Sequence, residues 1–299
     1  MAVQRGLSSK SIGAVIVTYD PALERLALAL LSVSKDCEVA VIVDNGSPPL
    51  VVEAIRRMVT QEQRLIVLGE NRGIAAAQNI GLDAARTLGA DRVLLLDQDS
   101  VPSPGMVRKL ASHLDTLLSG GIKVAAVGPS LVDGRWDSRI RLAARGRSSI
   151  NANLLEVDHL IASGALVPLS AVDAVGTMRD ELFIDYVDIE WGLRALRAGY
   201  RSYVALDAEM DHQLGVPMQV FGRTISTHSP MRHYYMVRNS IWLLRQSWLQ
   251  PKWRFLKMPK IALHLLINAV FATPHREQRQ MMARGLRDGF SGRMGKGHE

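Results

Sequence analysis

The chain has 299 residues, 47% of them hydrophobic, enough to bury one large core and ordinary for a folded soluble protein. Its formal net charge of +7 is uneven: from residue 250 onward Lys and Arg outnumber Asp and Glu 10 to 3, whereas the first 249 residues carry 26 of each. The single cysteine, Cys37, excludes an intramolecular disulfide and fits a reducing compartment.

In chain order, IGAVIVTY (12–19), EVAVIVD (38–44), RLIVLG (64–69), RVLLLD (92–97) and KVAAVG (123–128) are short β-branched or apolar runs that read as strands. Between them PALERLALALLSV, PLVVEAIRRMVT, IAAAQNIGLDAARTLG and PGMVRKLASHLDTLL repeat apolar residues at helical spacing. The alternation predicts an α/β fold with a mainly parallel central sheet and helices on both faces. Ligands of such sheets gather at the carboxyl ends of the strands, where Tyr19–Asp20, Asp44–Ser47, Glu70–Gly73 and Asp97–Asp99 all fall. Residues 131–157 are polar and Arg-rich and read as a loop or irregular hairpin. Residues 159–169 read as a strand broken at Ser163-Gly164, 187–199 as a helix closed by Gly199, RSYVALDAEM as a further strand, and the chain from 229 as helical.

The run VLLLDQDS (93–100) leads a buried-looking strand into two aspartates. In an extended segment Asp97 and Asp99 share a face, roughly 6 to 7 Å apart at the backbone. At an effective dielectric of about 20 they repel by about 2 to 3 kcal/mol. A divalent cation would remove that cost, and Mg²⁺ or Mn²⁺ prefers such oxygen ligands. The plainer alternative is a turn leading to a helix, with Ser103 as N-cap and Pro104 as first helical residue. Neither a Gly-rich loop ending in Lys-Ser/Thr nor a Gly-x-Gly-x-x-Gly follows the first strand, which disfavours nucleotide readings based on those motifs.

The ordered set VTYD (17–20), VDNGS (43–47), ENRGIAAAQNIGL (70–82), LDQDS (96–100), ASGAL (162–166) and YVDIEWGLR (186–194) resembles the inverting GT-A glycosyltransferases of family 2. DHQLG (211–215), SPMRHYYMVRN (229–239) and GLRDGFSGRMG (285–295) are similar to its rhamnosyltransferase branch, which uses dTDP-L-rhamnose. The resemblance covers nearly the whole chain. It implies a GT-A catalytic domain over 10–220, followed over 221–299 by a helical region for acceptor, membrane or oligomer contact.

Carried onto this sequence, the resemblance implies that Thr18, Tyr19 and Asp20 line the base pocket and that Asp44 hydrogen-bonds the base. Asn45, Asn71, Arg72, Gly73, Asn79, Asp97 and Gln98 would shape the nucleotide-sugar side, although VDNGS also reads as a plain Asx turn. Asp99 would ligate the cation, Mg²⁺ or Mn²⁺, and Asp97 would approach the ribose or the cation, with His212 as candidate third ligand or diphosphate contact, so that charge on the departing diphosphate is neutralised. Asp188 matches the family's catalytic base, which takes the acceptor's proton. The family's common Glu-Asp pair is here Val187-Asp188, so Asp185 competes for the role and Glu190 is a third carboxylate. The plainer reading has Asp185 or Asp188 cap a helix whose first turn favours Glu190. Ser163, Gly164 and Trp191 would form the acceptor side. The family's Gln-x-x-Arg-Trp motif is missing; RHYYMVRN stands in a comparable place, with Arg232, Tyr235 and Arg238 offered to the diphosphate or paired on an ordinary amphipathic helix.

The implied partners are a nucleotide-sugar donor, dTDP-L-rhamnose, and a glycan or lipid-linked acceptor in bacterial cell-surface polysaccharide synthesis. Another nucleotide sugar such as UDP-galactofuranose, a two-carboxylate glycosidase and a non-catalytic membrane-surface module are the rivals. MAVQRGLSSKSIG has no signal-peptide core, and IALHLLINAVFA (261–272), broken by His264 and Asn268, is shorter than the roughly 20 residues of a spanning helix. A cytoplasmic protein is expected. The basic tail suits an anionic membrane surface at the inner face of the cell membrane, a homo-oligomer contact or simple solvation. With no aromatic stacking platform or recognised motif, no nucleic-acid partner is expected.

Overall fold

The computed structural model describes residues 11–132, 149–211, 216–220 and 223–297. It opens with β1 (Ile12–Thr18), α1 (Leu23–Val33), β2 (Val39–Asp44), α2 (Pro49–Met58), β3 (Gln63–Val67), α3 (Ile74–Thr87) and β4 (Arg92–Asp97). Next come β5 (Val101–Pro102), α4 (Met106–Ser119), β6 (Val124–Val132), β7 (Ser149–Asn151), β8 (Leu154–Val157), β9 (Leu166–Pro168) and α5 (Leu169–Val175). A 3-10 turn (Asp180–Leu182), α6 (Val187–Arg197), β10 (Arg201–Asp211) and the hairpin β11 (Val216–Val220) and β12 (Arg223–Thr227) precede the helices α7 (Pro230–Leu244), α8 (Pro251–Phe271) and α9 (His275–Ser291).

The main sheet runs β3-β2-β1-β4-β9-β6-β10-β8-β7, with β5 added to β10. The first four strands are parallel, while β9 is antiparallel to both its neighbours. The parallel strands are continuous apolar runs because both faces are covered. Along β1, Ala14 and Ile16 pack with Leu26, Ile55 and Leu110 of α1, α2 and α4. Val15 and Val17 face the opposite layer, with Leu82, Val172 and Trp191 of α3, α5 and α6. The register sets Thr18 opposite Asp44 and Val17 opposite Asp97, so the polar strand ends lie flush along one edge.

Three local readings change. The strand expected over 159–169 shrinks to Leu166–Pro168, because the chain turns at Gly164 (φ 85°) and α5 begins at Leu169. Helix α4 starts at Met106 after Gly105 (φ 76°), so Ser103 is not its side-chain cap; only the Ser103 carbonyl is used, accepting from the Met106 N–H at 3.0 Å. The β11–β12 hairpin has no counterpart in the periodicity reading.

The C-terminal helices are wired into the loop that precedes α6. Helices α7 and α9 approach to backbone contact: a Cβ on Gly285 would lie 2.5 Å from the Tyr234 carbonyl oxygen, and one on Gly289 2.8 Å from that of Arg238. Ahead of α6, Phe183, Asp185 and Tyr186 hold φ of 65°, 61° and 66°, a left-handed region that costs such residues energy. Asn239 from α7 secures that loop, its Nδ2 donating to the carbonyls of Leu182, Ile184 and Asp185 at 2.9, 2.9 and 2.8 Å. Replacing Asn239 by Leu keeps the volume and strands buried carbonyls, so it should lower unfolding free energy by about 2 to 4 kcal/mol in denaturant titrations.

Candidate active site

Asp44 is wholly buried at the end of β2. Its Oδ1 accepts from the N–H groups of Gly46 (3.2 Å) and Ser47 (3.0 Å), and its Oδ2 from the hydroxyls of Thr18 (3.1 Å) and Ser47. The Asx-turn reading of VDNGS therefore holds, and the carboxylate braces the loop at the strand end instead of presenting open acceptors to a base. Thr18 is equally buried, its hydroxyl spent on this brace. Ser47, whose hydroxyl also accepts from the Asp20 N–H at 2.9 Å, was not singled out from the sequence. The signal was its place three residues after a strand-ending Asp.

Asn45 ties the next loop. Its amide donates to Asn71 Oδ1 (3.1 Å), its own Oδ1 accepts from the Arg72 N–H (2.9 Å), and the Gly73 N–H caps Asn71 Oδ1 at 3.0 Å. Gln98 clasps the Tyr19 backbone in both directions, accepting at 2.7 Å and donating at 3.2 Å. These contacts leave the side chains of Tyr19, Asp20 and Arg72 on the open rim. Asn79 is not there: it binds both the N–H and carbonyl of Met178 (3.0 and 2.9 Å) and Asp180 (2.6 Å), bolting α3 to the loop before the 3-10 turn.

Strand β4 stops at Asp97 and the Ser100 N–H returns to the Asp97 carbonyl at 3.2 Å, so Gln98 and Asp99 form a turn. The shared face expected of a continuing strand is not the geometry that relates the two carboxylates. Both aspartates remain partly exposed. Arg25 of α1 donates to the Asp99 carbonyl at 2.7 Å and to the Asp211 carboxylate at 3.1 Å, joining the turn to the residue before His212. Within the mostly apolar run PALERLALALLSV nothing but its charge distinguishes Arg25. His212 itself lies outside the described residues. Among the described residues no group of three His, Cys, Asp or Glu side chains could by itself hold a metal ion.

Asp188 lies in the first turn of α6, its Oδ1 accepting from the Ile189 N–H (2.8 Å) and its Oδ2 from the Ala162 N–H (3.3 Å). One residue on, the Ser163 hydroxyl accepts from the Asp97 N–H at 3.0 Å and bonds Ser100 at 2.7 Å. A single loop thus holds Asp188 and Asp97. Burial pushes the Asp188 carboxyl up to about 6, against its two N–H donors, and the charges of Asp97 and Asp185 add to the rise. A cavity of about 20 Å³, room for one water, opens beside it between Gln78, Leu95, Met178 and Trp191.

The other two carboxylates are committed. Asp185 is paired with Arg232 at 2.5 and 3.3 Å. Glu190 is fully buried between Arg179 (3.0 Å) and Arg194 (2.9 and 3.0 Å), a structural ion cluster with no surface for a substrate. Arg232 loses solvation, but Asp185 and then Asp97 and Asp188 more than offset this and tighten its hold on its proton. Asp97, Asp185, Asp188 and Arg232 therefore share one electrostatic neighbourhood.

Five further expectations are corrected by burial. Arg238 has no exposure, and its guanidinium serves the carbonyls of Gly295, Leu182 and Glu181 and the side chain of Asn239. Tyr235 is buried, stacked on Phe183 at 5.1 Å, its hydroxyl accepting from the Gly297 N–H. Trp191 is a core residue whose indole donates to the Gly176 carbonyl at 2.8 Å. Ser163 is buried under the Asp97 turn. Gly164 is small because Pro129 and Met210 crowd it: a Cβ there would meet them at 2.8 and 2.9 Å.

A family model described as glycosyl transferase family 2 matches residues 14–174. The dTDP-rhamnosyl transferase RfbF of Shigella flexneri is 29% identical over 248 residues, 80% of this chain and 81% of its own length. GalNAc-T7, crystallised with UDP, GalNAc and Mn²⁺, superposes with a TM-score of 0.61 at 11% identity, over 95% of this chain and 56% of that one. TarS 1–349 of S. aureus in complex with UDP-GlcNAc gives 0.51 at 16% identity, over 94% and 73%. At such identities the solved structures speak for the fold alone.

A carboxyl raised from 3.8 to about 6 is a folding liability at neutral pH. Both states are protonated below about pH 3; as pH rises toward 6 the unfolded chain ionises first, and stability falls by on the order of 2 to 3 kcal/mol. Asp188→Asn retains an acceptor for the Ile189 N–H and loses the charge. Its melting temperature should exceed that of the parent at pH 8 and converge with it at about pH 3.

Proposed function

As the chain belongs to glycosyltransferase family 2 and has the GT-A fold, we propose that it transfers L-rhamnose from dTDP-β-L-rhamnose, with inversion, to a hydroxyl of a glycan or lipid-linked sugar in bacterial cell-surface polysaccharide synthesis. The observation that carries the reading is Asp188: a carboxyl lifted to about 6 and tied through one loop to Asp97. A general base works best when its pKa is near the operating pH. Asp185 and Glu190 are engaged by arginines, which favours Asp188 as the base. The 29% identity to a dTDP-rhamnosyl transferase supports the donor.

In this mechanism the acceptor O–H loses its proton to Asp188 as its oxygen bonds to the anomeric carbon, and the bond from that carbon to the diphosphate breaks on the opposite face. Tyr19, Asp20 and Arg72 on the rim meet the nucleotide, over a floor braced by Asp44. Arg232, 42% exposed at its side chain, is the cation suited to the diphosphate. Asp97 and Asp99 offer hard oxygen donors that fit Mg²⁺ or Mn²⁺, whose remaining positions are commonly filled by phosphate oxygens and water. When bound, such a cation neutralises charge on the leaving group.

Incubating purified protein with dTDP-rhamnose, UDP-galactofuranose and UDP-GlcNAc, with and without chelator, should release nucleotide diphosphate from dTDP-rhamnose only, and only with divalent cation. Turnover of a UDP-sugar in its place would overturn the donor. Asp188→Asn should lower kcat by about 10² to 10⁴ while leaving donor affinity within about twofold. For the parent enzyme kcat/KM should fall about tenfold per pH unit below about 6, where the base is protonated.

A further inference from the structure

We infer that α8 seats the protein on an anionic lipid bilayer, lying in the plane of its surface. The inference is independent of which sugar is transferred. Leu256, Pro259, Leu263, Leu266 and Val270 recur at spacings of three and four, one line along the helix. That line faces solvent: Leu256, Leu263 and Leu266 are 60%, 57% and 62% exposed, and Phe255 beside them 79%. Single exposed leucines are ordinary, but a contiguous stripe along a helix of 21 residues marks a contact surface.

The inward side fixes this orientation. Trp253 is buried, Asn268 is fully buried and accepts from the Thr227 hydroxyl at 2.9 Å, and the Ala269 carbonyl accepts from Arg279 of α9 at 2.9 Å. Rotating α8 to hide its apolar line would break all three anchors.

Charge selects the occupant. From residue 212 to 276 the sequence has no Asp or Glu, while α8 carries Lys252, Arg254, Lys257 and Lys260, with Lys252 and Lys260 exposed. A second copy meeting this one through the same stripe would set like charges against each other. An anionic bilayer accepts the apolar line and attracts the cations, each contributing on the order of 1 kcal/mol near the surface. No helix among the described residues is long and apolar enough to cross a membrane, which favours an in-plane seat.

Co-sedimentation of the full chain, without donor, with vesicles of phosphatidylcholine alone or mixed with phosphatidylglycerol tests this. Binding to the mixed vesicles only, weakened by salt, is expected. Leu263→Gln with Leu266→Gln should abolish it, and Lys252→Gln with Lys260→Gln should lower partition by on the order of tenfold. All four positions are exposed, so circular dichroism and melting should be unchanged; if the leucine variant fails to fold, the lysine variant still decides. Absence of binding, equal binding to both vesicle types, or a dimer in sedimentation velocity that the leucine variant dissolves would each overturn the proposal.

Discussion

The loop at residues 162–165 is the constraint on which the site depends. Its Ala162 N–H holds Asp188, its Ser163 hydroxyl holds the Asp97 N–H, and Gly164 and Ala165 pair with the Leu95 backbone at 2.8 and 3.0 Å. A carboxylate from a helix and one from a strand end thereby share a few ångströms of backbone. The strained turn at Gly164, pressed against Pro129 and Met210, makes that geometry available only to a residue without a side chain.

Around this loop, three carboxylates of one short segment are separated by what each is given as a partner. Glu190 receives two guanidinium groups and has no solvent exposure, Asp185 one guanidinium, and Asp188 two backbone N–H groups and an apolar wall. Desolvation without a directly paired cation lifts a carboxyl, and of the three Asp188 alone is left in that condition.

Much of the scaffold was legible in the sequence. Buried parallel strands announce themselves as apolar runs, and the strands expected at 12–19, 38–44 and 92–97 are found within a residue or so of those limits. Asp188 was legible as a residue type at a helix start. What the sequence could not distinguish was a polar side chain facing a cleft from one consumed by the fold. Asn79, Arg238 and Trp191 sit in motifs as plausible as those of Tyr19 or Arg232, yet their donors end on backbone carbonyls of distant segments. Such partners are fixed by tertiary packing, between positions up to 99 residues apart, and no local periodicity records them.

The clasp of Asn239 and Arg238 on Leu182–Asp185 has a bearing on recombination between relatives. A hybrid taking residues up to about 220 from this chain and its tail from another would inherit a left-handed loop without the amide that satisfies it, unless the donor tail supplies an equivalent. Exchangeable units in this molecule are therefore bounded by hydrogen-bond ownership, and a crossover placed near residue 220 would cut between a loop and its custodian.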